Sequence, residues 1–124
     1  MQAYIFEEFG REKLKMVERP VPEPASDEIV LKMKAVSLYF RDLLMVEGNY
    51  NPRMKLPVVP CSDGVGVVSA VGSNVKDWKI GERAMPVFAP GWYDGDPERA
   101  HLRGAIGGPA DGTLQQYMCL KAVD

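Results

Sequence analysis

Alternating apolar and polar side chains dominate this chain and predict a protein built mainly from β-strands. In residues 28–35 every second side chain is apolar, which is the period of a strand with one buried face. Residues 65–71 are richer in valine, a composition typical of a strand that is covered on both sides. Shorter stretches with strand character occupy residues 58–59, 80–87 and 114–120. Gly and Pro turns separate these stretches.

One helical segment is predicted, at residues 41–47. Leu43, Leu44 and Val46 can face a core there, and Gly48 supplies the left-handed residue that commonly ends a helix. A helix this short is held by packing rather than by its own propensity. Many short strands with Gly and Pro turns and a single helix favour a partly open β-barrel.

Residues 86–112 differ from the rest, because Gly and Pro recur through the segment around Trp92 and Tyr93. A loop this long inside a compact domain is usually either functional or disordered. The two aromatic side chains favour order, since large aromatics are depleted in segments that cannot bury themselves. We therefore expect one long Gly/Pro-rich loop, with a poorly ordered surface excursion as the alternative.

Length and charge narrow the classes of function. The 124 residues suit one domain, residues 1–124, and the formal net charge of −2 is spread without a single-sign field. This charge pattern argues against nucleic acid and acidic membranes as partners. Cys61 and Cys119 lack the spacing of a disulfide scaffold and are expected to be reduced. With neither a leader pattern nor an apolar run approaching the ~20 residues that a membrane helix needs, the expected location is the cytoplasm.

Two adjoining segments resemble a known family. The stretch AVSLYFRDLLMVEGNYNPRMKLPVVPCSD at residues 35–63 runs into GVGVVSAVGSNVKDWKIGERA. Together they resemble the substrate domain of medium-chain dehydrogenases and reductases, in which a strand, a short helix opening at Arg-Asp and a Gly-His-Glu or Gly-Ser-Asp turn follow one another. The resemblance spans essentially the whole chain. It implies a GroES-like barrel and an NAD(P)H-dependent oxidoreductase that acts on a small-molecule carbonyl, alcohol or enone.

The resemblance sides with the branch of the family that works without zinc. Zinc-dependent relatives have a cysteine, a histidine and a glutamate where this chain has Tyr39, Ser62 and Asp63. Zinc prefers thiolate and imidazole ligands, so a phenol, a hydroxyl and one carboxylate predict no catalytic zinc site. The four cysteines of the family's structural zinc are also missing, and we expect no metal. Quinone oxidoreductases and enoyl reductases belong to this zinc-free branch.

Two tyrosines are the candidate catalytic residues. Without a metal, hydrogen-bond donors must polarise the substrate carbonyl, and a phenol in a dry cleft can do so. The resemblance points Tyr39 toward the nicotinamide end of the cleft, and Tyr50 resembles the tyrosine proposed as proton donor in mitochondrial-type enoyl reductases. The alternative for either tyrosine is packing, with its hydroxyl bonded to backbone.

The resemblance also assigns residues to cofactor and substrate. It places Phe40 and Arg41 near the phosphates or ribose of NAD or NADP, where an arginine could pair with pyrophosphate. The alternative for Arg41 is a helix-start residue that is paired with Glu47 or solvated. Asp42 is expected to be structural, because the unpaired backbone donors at a helix start favour a carboxylate. The predicted substrate cleft is completed by Ser62, Asp63, Trp92 and Tyr93.

No dinucleotide-binding fingerprint lies within the chain. The sequence Gly64-Val65-Gly66 lacks the third glycine and the following helix of that motif. We expect the chain to be the GroES-like part of a longer, truncated enzyme that is inactive alone, with the choice between NAD and NADP left open. Truncation would expose apolar cleft surface and drive self-association as a homodimer. The competing hypothesis is a free-standing GroES-like module that binds a protein partner, which rests on fold analogy.

Overall fold

The computed structural model describes residues 1–124 and shows two antiparallel sheets that do not close into a barrel. The smaller sheet pairs β1 (Gln2–Ile5) with β2 (Lys15–Glu18). The larger sheet contains β3 (Glu28–Ser37), β4 (Asp63–Val71), β5 (Arg83–Ala84) and β6 (Tyr117–Lys121), in the order β5-β4-β3-β6. Two helices, α1 (Phe40–Glu47) and α2 (Arg99–Arg103), and a 3₁₀ turn at Arg11–Lys13 complete the fold. The predicted mainly β fold is confirmed, and neither helix is long and apolar enough to cross a lipid bilayer.

Strand β3 follows the predicted alternation only in part. Ile29 and Leu31 are buried as predicted, but Val30 between them is buried as well, and Ala35 is exposed. The register of β3 against β4 shifts between Val30 and Leu31 and again between Met33 and Ala35. Such irregularities re-aim the side chains that follow them, so a strict two-residue period does not persist along the strand.

Strand β4 is less covered than its valine content predicts. Gly66 and Val68 are buried, whereas the remaining residues are half-buried or, at Asp63, exposed. The glycines lie against β3, because a Cβ added at Gly66 would come within 2.8 Å of Leu31 Cβ. Gly64 and Gly66 therefore allow the close approach of β3 and β4.

The predicted strand at residues 58–59 is wrong. Val58 makes only an isolated antiparallel bridge with Phe6. The flanking Pro57 and Pro60 have no N–H to donate, so a continuous ladder cannot form on either side of the bridge.

Two further predicted strands are shorter than expected. The stretch 80–87 contains only the two residues of β5, because Gly81 has a φ of 98° and turns the chain immediately before it. The stretch 114–120 becomes a strand only from the start of β6, since Leu114 accepts a hydrogen bond from β1 instead of pairing with β3. Strand β2 was not predicted at all.

Helix α1 buries Val46 as predicted, but its second buried apolar residue is Met45 instead of Leu43 or Leu44. Leu43 and Leu44 are only half-buried, whereas Met45 and Val46 are 1% and 6% exposed and belong to an apolar core cluster. Gly48, with a φ of 78°, ends the helix as predicted. The same cluster contains Phe6, Met54 and Val58.

The long segment 86–112 contains α2, so the expectation of a single helix is wrong. Trp92 stacks on His101 with ring centroids 6.4 Å apart and an interplanar angle of 13°. Farther along, Gly107 has a φ of 76°, and an added Cβ would lie 2.6 Å from the carbonyl carbon of Cys61. The end of the segment around Gly107 is therefore packed against the domain.

Candidate functional site

The backbone of Tyr39 is fixed by the helix that follows it. It is extended, with φ −146° and ψ 179°, and its N–H donates to Asp42 Oδ2 at 3.0 Å. A carboxylate at this position satisfies a backbone donor at the helix start and suits the positive end of the helix dipole. Asp42 thus has the structural role expected from the sequence, and it holds Tyr39 in place.

The Tyr39 phenol begins a chain of hydrogen bonds that ends at a carboxylate. Tyr39 Oη lies 2.8 Å from Ser62 Oγ, and Ser62 Oγ donates to Asp63 Oδ2 at 3.3 Å. A serine hydroxyl has one proton, so the phenol donates to Ser62 when Ser62 donates to Asp63. Ser62 is 1% exposed and Asp63 is exposed, so the chain leads through a buried hydroxyl to the surface. The structure therefore brings together three of the predicted site residues.

A sharp bend of the backbone before β4 places Ser62 in this chain of hydrogen bonds. Cys61 is the only non-glycine residue with a positive φ, at 71°. Such a backbone costs roughly 1–3 kcal/mol and persists only where the surroundings impose it. The Cys61 carbonyl accepts a hydrogen bond from Thr113 N–H at 2.8 Å, and a Cβ added at Gly112 would lie 1.9 Å from the same oxygen. Close packing of the segment around Gly112 thus imposes the bend.

Asp42 and Cys61 are neighbouring acidic groups that are both buried. Burial raises the pKa of Asp42, and the hydrogen bond from Tyr39 N–H only partly opposes this effect. Burial also raises the pKa of the Cys61 thiol to about 12, with the charge of Asp42 as the next cause. Asp42 Oδ1 has no hydrogen-bond partner of ordinary geometry, although the thiol is close enough to affect its pKa. Cys61 is therefore a neutral and unreactive thiol at neutral pH.

An apolar pocket of about 570 Å³ opens beside Tyr39. Its volume lies in the range of small-molecule sites, which are mainly apolar with a few polar groups. Asp42 and Arg11 are its charged members, and Arg11 Nε pairs with Glu47 Oε1 at 2.8 Å. That ion pair contradicts the alternative in which Glu47 pairs with Arg41. The apolar lining includes Tyr4, Leu14, Leu38, Leu43 and Leu114.

Arg41 is enclosed by the long segment instead of being solvated. Its Nη1 and Nη2 donate to Ile106 O at 3.3 Å and to Gly108 O at 2.9 Å. Its guanidinium carbon lies 4.7 Å from the ring centre of Phe88 and 5.1 Å from that of Tyr50. Tyr50 therefore packs on Arg41 and does not border the pocket beside Tyr39.

Ser62 and Asp63 do not line that pocket, and three other predicted site residues also lie outside it. Phe40 is 70% exposed on the first turn of α1. The Tyr93 hydroxyl donates to Asp124 Oδ1, and Trp92 is occupied by its stacking on His101. The structure brings none of them to the Tyr39 pocket.

The pocket contains residues that the sequence analysis did not single out. Tyr4 and Leu114 meet there because Tyr4 N–H donates to Leu114 O at 3.0 Å. Alternation in β1 places Tyr4 on the side opposite to the buried Ala3 and Ile5, which was the available signal. No pattern in the sequence indicated Leu114, because its position depends on a contact between distant parts of the chain.

The residues of this chain can be compared with those that a metal ion or a complete NAD(P) molecule would need. No group of three or more His, Cys, Asp or Glu side chains is placed to hold a metal ion. All strand pairs within the two sheets are antiparallel, so there is no parallel βαβ unit with a dinucleotide-binding turn. The residues present therefore do not fit a complete NAD(P) molecule.

Comparison of sequences with known proteins identifies one family. Residues 25–124 match the family model of the alcohol dehydrogenase GroES-like domain. The zinc-type alcohol dehydrogenase-like protein of Schizosaccharomyces pombe is 38% identical over 114 residues, which cover 91% of this chain and 33% of that protein.

Solved structures agree with the sequence comparison. An NAD-dependent alcohol dehydrogenase superposes with a TM-score of 0.80 at 30% identity, covering 100% of this chain and 38% of that chain. The Escherichia coli quinone oxidoreductase complexed with NADPH gives a TM-score of 0.69 at 26% identity, covering 98% of this chain and 31% of that chain. The chain spans about a third of the length of these relatives.

Proposed function

Because the chain belongs to the alcohol dehydrogenase GroES-like domain family of medium-chain dehydrogenases and reductases, we propose that it is the substrate-binding domain of a zinc-independent, NAD(P)H-dependent oxidoreductase. Its substrate is a carbonyl, alcohol or enone with an apolar body. The observation that carries the proposal is the hydrogen-bond chain from Tyr39 through Ser62 to Asp63, whose first member lines the apolar pocket.

The proposed chemistry needs a hydride at the substrate carbon and a proton at its oxygen. NAD(P)H supplies the hydride when it is bound. The Tyr39 phenol donates to the substrate oxygen, where negative charge develops during hydride transfer. Tyr39 then recovers a proton from Ser62, whose hydroxyl rotates toward the phenol and is reprotonated from solvent through the exposed Asp63.

Alcohol oxidation uses the same groups in the opposite direction. The alcohol proton passes to Tyr39 while the phenol proton moves to Ser62, and the Ser62 proton moves to Asp63. This is the polarity that the hydrogen bonds have here, since Ser62 donates to Asp63. The arrangement supports proton movement in either direction by rotation of one buried hydroxyl.

The surroundings of Tyr39 support this role. A substrate that fills the pocket displaces water from the apolar side chains beside the phenol, and a hydrogen bond to a developing charge is then stronger than in water. Zinc independence is supported by the donor set, because a phenol, a hydroxyl and a carboxylate do not match the thiolate and imidazole preference of zinc.

The test uses the product of the complete reading frame that encodes these residues. Oxidation of NADH and NADPH is measured with aldehydes, quinones and enones, and the zinc content is measured by elemental analysis. We expect turnover without stoichiometric zinc. Tyr39→Phe should lower kcat by about a hundredfold, the usual cost of one lost donor to a developing oxyanion.

Tyr117→Phe is the matched control, because Tyr117 lies on β6 and outside the pocket beside Tyr39. It removes the same hydroxyl and should leave kcat unchanged. An unchanged kcat in Tyr39→Phe would overturn the catalytic role of the phenol. Activity that requires one zinc ion per chain would overturn zinc independence.

A further inference from the structure

A second pocket, of about 360 Å³, lies where α1, α2 and the segment after Gly48 meet. It shares no lining residue with the pocket beside Tyr39. Its lining contains Arg41, Arg99 and Arg103 and no Asp or Glu. In a chain with a formal net charge of −2, this is a local concentration of positive charge.

Helix α2 contributes two of the arginines without ionic partners. Arg99 and Arg103 are separated by one helical turn, so they lie on the same side of α2 and repel each other. Glu98 precedes the helix and does not line the pocket. Neither arginine forms an ion pair, whereas five other basic side chains do, namely Arg11, Lys13, Lys15, Arg19 and Lys121.

The third arginine is oriented before any ligand arrives. Arg41 is held between the rings of Phe88 and Tyr50 and by the carbonyl oxygens of Ile106 and Gly108. Its hydrogen-bond acceptors are neutral carbonyls, it forms no ion pair, and its Nε is buried without a hydrogen-bond partner. A guanidinium fixed in this way loses little conformational entropy when it binds an anion.

We propose that this pocket binds the phosphate group of a small organic phosphate. A phosphate dianion compensates several neighbouring positive charges better than a monocarboxylate does. The volume exceeds that of one bare ion, and Tyr50, Phe88 and Pro109 offer surface to an organic group beside it. Arg41 is the residue that the resemblance placed near the phosphates of NAD or NADP, whereas Arg99 and Arg103 have no cofactor assignment, and the pocket shares no lining residue with the pocket beside Tyr39.

The test is titration of the isotope-labelled 124-residue chain with phenyl phosphate at constant ionic strength, followed by amide chemical shifts. Saturable shifts are expected at Asn51, Ala105 and Gly108, which line the pocket. The double variant R99Q/R103Q should bind at least about tenfold more weakly, since two charge-assisted contacts are lost.

The matched control, K76Q/R83Q, removes the same charge from exposed side chains outside the pocket and should bind like the parent. Inorganic phosphate tests the phosphate group of the probe without its ring, and benzoate tests the ring with a carboxylate in place of the phosphate. We expect phenyl phosphate to bind tightest and benzoate weakest. Arg99 and Arg103 are exposed, so the fold of their variant should be retained, which circular dichroism checks. Equal weakening in both double variants, equal binding of benzoate and phenyl phosphate, or shifts elsewhere would overturn the proposal.

Discussion

The phenol oxygen of Tyr39 lies 2.8 Å from the hydroxyl oxygen of Ser62, and this contact joins the start of α1 to the start of β4. Each partner is fixed by its own segment. Asp42 accepts the backbone N–H of Tyr39, and the bend at Cys61 leads into the buried Ser62. The contact therefore depends on two local structures and not on free rotation of either side chain, which makes Ser62 a positioning residue for the phenol.

Removal of the Ser62 hydroxyl should slow the proposed reaction. In the product of the complete reading frame, Ser62→Ala should lower kcat by about fivefold or more, since a hydrogen bond of this kind contributes about 1 kcal/mol. KM should change little, because Ser62 does not line the pocket. The pH dependence of kcat should also change, since the proposed proton path is interrupted. Steady-state kinetics over a range of pH checks all three expectations.

Ser69→Ala is the control for loss of a hydroxyl from the same region. Ser69 lies on β4, and its Oγ donates to Val30 O at 3.1 Å. This variant should retain the kcat and the pH profile of the parent. A Ser62→Ala enzyme with unchanged kcat and raised KM would contradict the positioning role.

The sequence predicted best those strands whose own residues show a pattern of apolar side chains. Strands β3 and β4 are rich in apolar residues, which marked them as strands although their buried residues follow the predicted pattern only in part. Strand β2 and helix α2 carry no such mark, because β2 has no fully buried residue and α2 has none either. Their positions depend on contacts with other elements, which a local pattern cannot show.

The pH dependence of stability should contain a contribution from Asp42. Burial raises the pKa of Asp42 in the folded state, so the folded protein binds this proton more tightly than the unfolded chain does. The contribution of Asp42 to stability is therefore most favourable at acidic pH. It declines as the pH rises from the ordinary pKa of 3.8 through the raised pKa of the folded state.

Urea unfolding of Asp42→Asn between acidic and neutral pH tests this contribution. The variant should lack the decline in stability that Asp42 causes as the pH rises. Its free energy of unfolding should therefore increase relative to that of the parent between acidic and neutral pH. Asp77→Asn, which changes an exposed carboxylate, should not alter the pH dependence relative to the parent. Parallel curves for Asp42→Asn and the parent would show that the folded state does not perturb Asp42.

The thiol of Cys61 should be chemically silent in the folded protein. Burial raises its pKa to about 12, and the side chain is 1% exposed, so both thiolate and access are lacking near pH 8. In a Cys119→Ser variant, a thiol reagent should label Cys61 only after urea has unfolded the chain. Rapid labelling under native conditions would show that the bend before β4 opens readily.

Gly112 should be required for the bend that positions Ser62. A Cβ at Gly112 would lie 1.9 Å from Cys61 O and 2.7 Å from Pro60 O, and backbone atoms cannot move aside cheaply. Gly112→Ala should lower the free energy of unfolding by about 2 kcal/mol or more. Gly104→Ala is the control, because an added Cβ there meets nothing closer than 3.7 Å. Chemical denaturation of the two variants compares them, and equal stabilities would contradict this account of the bend.

The sequence predicted the part of the candidate site that lies at the start of α1 and the start of β4. It did not predict the part that the Gly/Pro-rich segment places. The resemblance placed Tyr39, Ser62 and Asp63 at one site, and the structure joins them by hydrogen bonds. The surroundings of Arg41 and Tyr93 were not predictable, because they depend on the path of the Gly/Pro-rich segment across the domain. Such segments leave few local constraints from which a path could be read.

We propose that the exposed apolar side chains beside Tyr39 cause self-association, which is the last prediction. Leu38 and Phe40 are 72% and 70% exposed on either side of Tyr39. Apolar surface of this kind next to a pocket recruits a partner surface, so the chain should form a weak homodimer at high concentration. The double variant L38S/F40S should remain monomeric in analytical ultracentrifugation. Ile80→Ser, which changes a side chain that is 69% exposed, is the control and should dimerise like the parent. A parent chain that stays monomeric at every concentration, or dimers lost only in Ile80→Ser, would assign no such role to this surface.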